Sequence, residues 1–190
     1  DPAECAERYR KGIQRIPLAL DAVEVPVIAA VNGICCGGGL ELALSADLIL
    51  ASEQATFALP EINSGTIADA ATLKLPRRVP YHVAMELLLT GRWMDAIEAH
   101  HWGLVNETLP QDQLIVRANE LADTLADGPP LVYAAIKEVL RETEGLAFQK
   151  ALDQITGRIF PSVDRLYSSD DQLEGARAFA EKRKPLWRGR

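Results

Sequence analysis

Two glutamates and a run of three glycines are the residues in this chain whose types and placement could do chemistry. In PVIAAVNGICCGGGLELALSADLIL, residues 26–50, an apolar run ends in Gly37, Gly38 and Gly39, and Glu41 follows two residues later. Glu41 is the only charged residue between Glu24 and Asp47, and Leu40, Leu42, Ala43 and Leu44 surround it. A second carboxylate, Glu61, follows in TFALPEINSGTIAD, where it and Asp69 are the only charges between Glu53 and Lys74. A glutamate in a first helical turn is ordinarily a solvated residue that complements the helix dipole. One at a strand end is ordinarily a surface turn residue. The isolation of these two in apolar surroundings argues for partly desolvated carboxylates, a setting suited to proton transfer if both face one small volume.

The glycines do not form a phosphate site. A phosphate loop needs GxxxxGK[ST], and a dinucleotide fingerprint needs GxGxxG; CCGGGLE supplies neither. A helix beginning near Gly38 offers free N–H groups, but Glu41 in its first turn repels a dianion. The suitable guest for bare backbone donors beside a carboxylate is a neutral carbonyl that becomes an oxyanion only during reaction. Glycine lets such a guest approach without a Cβ in the way.

The elements that must position these groups show two textures. VIAAVNG, DLILAS and ATFALP are short apolar runs bounded by Pro, Gly, Asn, Asp and Ser, and they read as strands buried on both faces. Ahead of them, Ala6, Tyr9, Ile13, Ile16 and Leu20 mark an amphipathic helix that Pro17 is expected to kink or divide. Beyond about residue 70 the helical period returns. Leu114, Ala118, Leu121, Ala122 and Leu125 mark one helix, and Val132, Ala135, Ile136 and Val139 mark another after the GPP at 128–130. Phe148, Ala151, Leu152, Ile155 and Ile159 mark a third, and Ser169 with Gln172 has the spacing of a capping box ahead of a last helix. The expected division is a core over 1–110, carrying the glycines and carboxylates, and a helical region over 111–190.

Composition narrows the function classes. The 190 residues are 48% hydrophobic and 25% charged, enough for one or two globular domains. A net charge of −7 argues against nucleic acid. No apolar run nears the roughly 20 residues of a membrane span, and DPAECAERYRKG is unlike a signal peptide, so the expected location is cytoplasmic. Cys5, Cys35 and Cys36 are an odd set that suits a reducing compartment, and His82, His100 and His101 fall into no ligand spacing with them, so no metal is expected.

The segments PVIAAVNGICCGGGLELALSADLILAS, ATFALPEINSGTIAD, LTGRWMDAIEAHHWGLVNETLP and AFAEKRKPLWRGR, in that order, resemble the enoyl-CoA hydratase/isomerase, or crotonase, family. FALPE and the ending FAEKRKPLWRGR are most similar to the branch that hydrates and dehydrates carnitine-type thioesters. The resemblance implies an α/β fold of ββα superhelical turns followed by a helical region that builds trimers, often paired into hexamers. It implies an acyl-CoA thioester as substrate, with coenzyme A part of that substrate and no other cofactor. By motif position, Gly38 supplies one oxyanion N–H, with Gly37 beside it at the substrate. Glu41 and Glu61 match the carboxylates that activate water at the β-carbon and exchange a proton at the α-carbon. Phe179 and Lys182 match positions that help hold CoA, commonly from a neighbouring subunit; an ordinary surface lysine is the equal alternative for Lys182.

Two departures from the family pattern matter. After Gly65 the family usually has a Pro or Gly and then a glycine pair; here the run is Ala68, Asp69, Ala70, Ala71 and Thr72. Asp69 is thereby a third candidate carboxylate, with a loop-capping role as the bland reading. The chain also begins in a helix that the family places after its first several strands, and the segment carrying the second oxyanion donor has no counterpart in these residues. Part of a longer product, or a shortened member, is expected. The alternatives to a hydratase are a double-bond isomerase using Glu61 alone and a catalytically silent assembly subunit.

Overall fold

The computed structural model describes residues 4, 12 and 15–190. Residues 15–21 are helical (α1), and Pro17 lies buried within this helix. Ala6, Tyr9 and Ile13 lie outside the described residues, and with them the expected kink.

The chain divides into two compact units at Leu121/Ala122, within helix α6 (Leu114–Ala126). In the first, β1 (Ile28–Val31) and β2 (Ile34–Cys36) lead into α2 (Gly38–Ala43), and β3 (Leu48–Ser52) and β4 (Thr56–Ala58) follow. β3 pairs in parallel with β1, Ile28 opposite Leu48, while β4 pairs in parallel with β2, Ile34 opposite Thr56. Each pair of strands thus stacks its two members on the two members of the preceding pair. That is the ββα superhelical turn expected above. Two later strands complete the sheets: β6 (Glu107–Leu109) is parallel to β3, and β5 (Met94–Asp95) is antiparallel to β4.

Apolar side chains from each element fill the core, Leu40 and Leu44 from α2, Leu50 from β3, Phe57 from β4 and Leu75 beyond them. The runs read as doubly buried strands are so in β3 and β4. β1 is only half-buried along its length, because it lies at an edge of the sheet with a partner on one side among the described residues. Asp47 accepts the Val27 N–H at 2.7 Å and Asn106 accepts the Ile49 N–H at 2.7 Å, so side chains satisfy backbone donors at the ends of β1 and β3. After β4 comes a 3-10 turn, Pro60–Ser64, closed by Gly65 in the left-handed region. The short helix α3 (Asp69–Lys74), then α4 (Tyr81–Thr90) and α5 (Ala96–His101), complete the surroundings of the strands.

The second unit holds α7 (Pro130–Glu142), α8 (Phe148–Thr156), α9 (Pro161–Tyr167) and α10 (Asp170–Ala180). Ala135, Phe160 and Val163 form its small buried cluster. α8 ends before Ile159, which the periodicity had included, because the chain turns at Gly157 and at Arg158, whose φ is 52°. α9 was not anticipated. Glu138 of α7 accepts both the N–H and the hydroxyl of Ser162, supplying the N-terminal acceptor that α9 lacks locally. Half of the capping box at α10 is formed: Ser169 Oγ accepts the Gln172 N–H at 3.2 Å, while the Ser169 N–H donates to the Leu166 carbonyl at 3.1 Å. Among the described residues, no helix is long and apolar enough to cross a membrane.

Candidate active site

The chain leaves β2 at Cys36 and enters α2 through Gly37, whose φ of 54° lies in the left-handed region that favours glycine. Its N–H donates to the Ala58 carbonyl at the end of β4 at 3.0 Å, tying the turn to the neighbouring strand. Directly after the next residue, Leu59, Pro60 opens the 3-10 turn and Glu61 follows. Glu61 folds back against the glycine turn: a methyl group built on Gly37 would sit 2.7 Å from Glu61 Oε1. Gly37 is therefore fixed twice, by its backbone angle and by the carboxylate beside it.

Glu41 lies on the same turn. Its N–H donates to the Gly37 carbonyl at 3.0 Å, and the residue is buried, only 6% exposed. Its Oε1 accepts the Ala70 N–H at 2.7 Å and the Ala71 N–H at 3.2 Å, both in the first turn of α3. No side chain caps α3 locally, so Glu41 fills that place from 29 residues away. These two bonds hold one oxygen of Glu41 and orient the other.

Glu61 differs. Its Oε2 is buried and has no hydrogen-bond partner in the protein, which makes it one of the two side-chain atoms in that state among the described residues. A buried carboxylate oxygen with no donor costs desolvation without return, and such an atom in a native site calls for a ligand, water or proton.

Gly38 and Gly39 contrast with Gly37. Neither has a positive φ, and a methyl on either would meet nothing within 4 Å. Neither backbone angle nor the chain's own packing requires glycine at these two exposed positions. They open α2, where the first N–H groups have no intrahelical acceptor. The turn therefore presents unhindered backbone donors beside two carboxylates of different character, as an oxyanion site with acid–base groups requires.

The vicinal thiols do no evident chemistry here. Burial, and then the neighbouring Cys36, push the Cys35 thiol up to about 12. Burial, and then the Glu61 carboxylate, push Cys36 up as well. Both stay protonated near neutral pH, so neither is a ready nucleophile. The approach of Glu61 Oε1 to Gly37 puts its carboxylate just past the end of β2. Among the described residues no group of three His, Cys, Asp or Glu could hold a metal ion.

The structure gathers Gly37, Gly38, Glu41 and Glu61 around one turn and puts Asp69 at the start of α3, next to the two amides that hold Glu41. Phe179 and Lys182 belong to the second unit. Phe179 projects from α10 at 87% exposure, and Lys182, at φ 53°, turns the chain just beyond it. The Ala70 and Ala71 amides were missed by sequence reasoning, since a backbone donor has no residue signature.

The family model described as enoyl-CoA hydratase/isomerase matches residues 2–190. The carnitinyl-CoA dehydratase of Proteus mirabilis (strain HI4320) is 45% identical over 166 residues, 87% of this chain and 64% of that protein. That of Salmonella typhi is 44% identical over 169 residues, 88% of this chain and 65% of the relative. The chain thus spans a little under two-thirds of the length of these relatives. Among solved structures, an enoyl-CoA hydratase from Bacillus anthracis superposes with a TM-score of 0.86 at 33% identity, covering 97% of this chain and 71% of that one. Another, from Mycobacterium tuberculosis H37Rv, gives 0.79 at 39% identity, covering 87% of this chain and 64% of that one. With the match running over nearly every residue and the stacked strand pairs in place, the chain belongs to the enoyl-CoA hydratase/isomerase family.

Proposed function

We propose that this chain carries the acid–base centre of a hydro-lyase that adds water to, and removes it from, an acyl-CoA thioester, with a carnitine-type acyl group favoured. The observation that carries the reading is the asymmetric pair on the glycine turn. Glu41 is pinned through Oε1 by two amides, while Glu61 has a buried, unpartnered Oε2. The 44–45% identity to proteins named carnitinyl-CoA dehydratase supports the choice of acyl group.

In the hydration direction, the free oxygen of Glu41 accepts a proton from water as the water oxygen bonds to the β-carbon. The double-bond electrons move toward the thioester, whose oxygen becomes an oxyanion held by the Gly38 N–H. A protonated Glu61 then gives its proton to the α-carbon, so that H and OH have been added; Glu41 ends with the proton taken from water and Glu61 without one, and the proton passes from Glu41 to Glu61 through solvent before the next turnover. The chemistry is proton transfer and addition, and coenzyme A enters only as part of the substrate. Asp69, one residue from the amides that hold Glu41, is a further carboxylate for this site. Phe179 and Lys182 are assigned to the CoA end of the substrate in a trimer or hexamer, contributed to a neighbouring subunit.

One observation favours a second reading. With Oε1 of Glu41 committed to α3, that residue would serve as a peg, and Glu61 alone would shuttle a proton between carbons, as in a double-bond isomerase. Incubation with crotonyl-CoA and crotonobetainyl-CoA, followed by loss of conjugated-thioester absorbance, separates the two. Glu41→Gln and Glu61→Gln are each expected to lower hydration by about 10²- to 10⁴-fold. Glu41→Gln retaining full isomerase activity while Glu61→Gln lost it would replace hydration by isomerisation. Unchanged absorbance with either thioester, with CoA still bound, would favour a silent assembly subunit.

A further inference from the structure

α3 is a helix of only six residues with a grip at each end. At its start the Ala70 and Ala71 amides hold Glu41 Oε1. At its last residue, Lys74 Nζ lies 2.6 Å from Asp21 Oδ1, in a pair whose side chains are both mostly buried, at 19% and 29% exposure. Asp21 closes helix α1, 53 residues earlier in the chain. Between the two grips Ala71 is fully buried, and the Leu75 that follows is fully buried too. So short a helix has little stability of its own, and its position is set by what holds it. The cation at its C-terminal end also complements the helix dipole.

We propose that Asp21 and Lys74 are positioning residues for Glu41: their ion pair fixes the far end of α3, and α3 transmits that position to the carboxylate through its first-turn amides. The N-cap residue, Ala68, makes no side-chain cap bond, so the two amides and Glu41 set one another. If the pair is lost, α3 can shift along its axis or fray. The Ala70 and Ala71 bonds then lengthen, and Glu41 is free to rotate away from the orientation those two bonds impose. The kinetic consequence rests on the hydratase reading. The coupling of Asp21 and Lys74 to the Ala70 and Ala71 amides does not.

The test therefore has two readouts. Amide hydrogen exchange is compared in the wild-type chain and in Lys74→Met and Asp21→Asn. First-turn helix amides have no intrahelical acceptor, so protection at Ala70 and Ala71 reports the grip of Glu41 directly. Exchange there is expected to speed up by about tenfold, with Leu50 and Ala51 in β3 unchanged. Turnover of the enoyl-CoA is expected to fall about tenfold in kcat, with KM within about twofold, as befits a misplaced group that does not itself bind substrate. The charge-reversed double variant, Asp21→Lys with Lys74→Asp, should recover most of both losses. Unchanged exchange at Ala70 and Ala71 would overturn the proposal, as would equal acceleration in β3, which marks general loosening. If the wild-type chain turns over neither thioester, the hydratase reading falls while the exchange comparison still decides the coupling.

Discussion

At the scale of single residues, three consecutive glycines do different work. Gly37 has a left-handed backbone and the Glu61 carboxylate against its Cα, while Gly38 faces open space with ordinary helical angles. Gly37→Ala should therefore lose stability by about 1–3 kcal/mol from backbone strain alone and also push Glu61 aside. Gly38→Ala should leave the melting temperature unchanged or raise it, since alanine is the better helix former by up to about 1 kcal/mol. On the proposed oxyanion role its methyl would nonetheless stand in the path of the thioester oxygen, and a displacement of about 1 Å costs turnover about 10²-fold. Thermal melts and steady-state rates of the two variants check this, and full turnover in Gly38→Ala would remove the oxyanion assignment. Glu41 and Glu61 were legible in the sequence because each is an isolated charge in an apolar stretch, which burial makes costly unless it is used. Their different environments were not legible, since the amides that hold Glu41 belong to two alanines with no polar side chain to announce them.

At the scale of elements, legibility followed length and pattern. β1, β3 and β4 were apparent from the longer apolar runs in which they sit, whereas β2, β5 and β6, of two or three residues, lie in no such run and exist by pairing with neighbours. α9 was hidden for a different reason: its N-terminal acceptor, Glu138, comes from another helix. The tail after α10 is a further case. Asp171, only 3% exposed, accepts the Arg188 and Gly189 N–H groups at 2.8 Å each, and Glu174 takes the Arg183 guanidinium and the Leu186 N–H. The Arg183 guanidinium, and then the Leu186 amide, hold the Glu174 carboxyl down to about 2, so this clasp stays charged throughout the neutral range. Trp187 closes over Gly175 between the two carboxylates, and these contacts lay the tail along α10. Asp171→Ala should release it, making the Arg188–Gly189 bond about tenfold more susceptible to trypsin while the far-ultraviolet spectrum stays unchanged. Equal cleavage rates would show that Trp187 and Glu174 suffice to hold the strand.

At the scale of the whole molecule, the question is what covers the apolar faces that the helices leave in solvent. In the second unit the buried cluster is small, while α7 exposes Ile136 and Leu140 and α8 exposes Phe148 and Leu152, each pair four residues apart and so on one helix face. Side chains of this size seldom stay in water as extended stripes on a protein that works alone, and burial between identical copies is the simplest symmetric remedy. The acidic balance of the chain, −7 at neutral pH, would oppose association beyond such a closed assembly. A homotrimer or hexamer is expected, with a light-scattering mass three or six times that of the chain at micromolar concentration. The double variant Leu140→Glu, Phe148→Glu should fall to a single chain with its circular dichroism retained, because both positions are already exposed within the chain and the added charges cost nothing until a second copy approaches. Glu41 and Glu61 would survive in that monomer, yet its KM for the thioester should rise if Phe179 and Lys182 serve a neighbour's substrate. A wild-type chain that scatters as a monomer would remove the assembly and that shared contact together, leaving Phe179 as an exposed aromatic with no assigned guest.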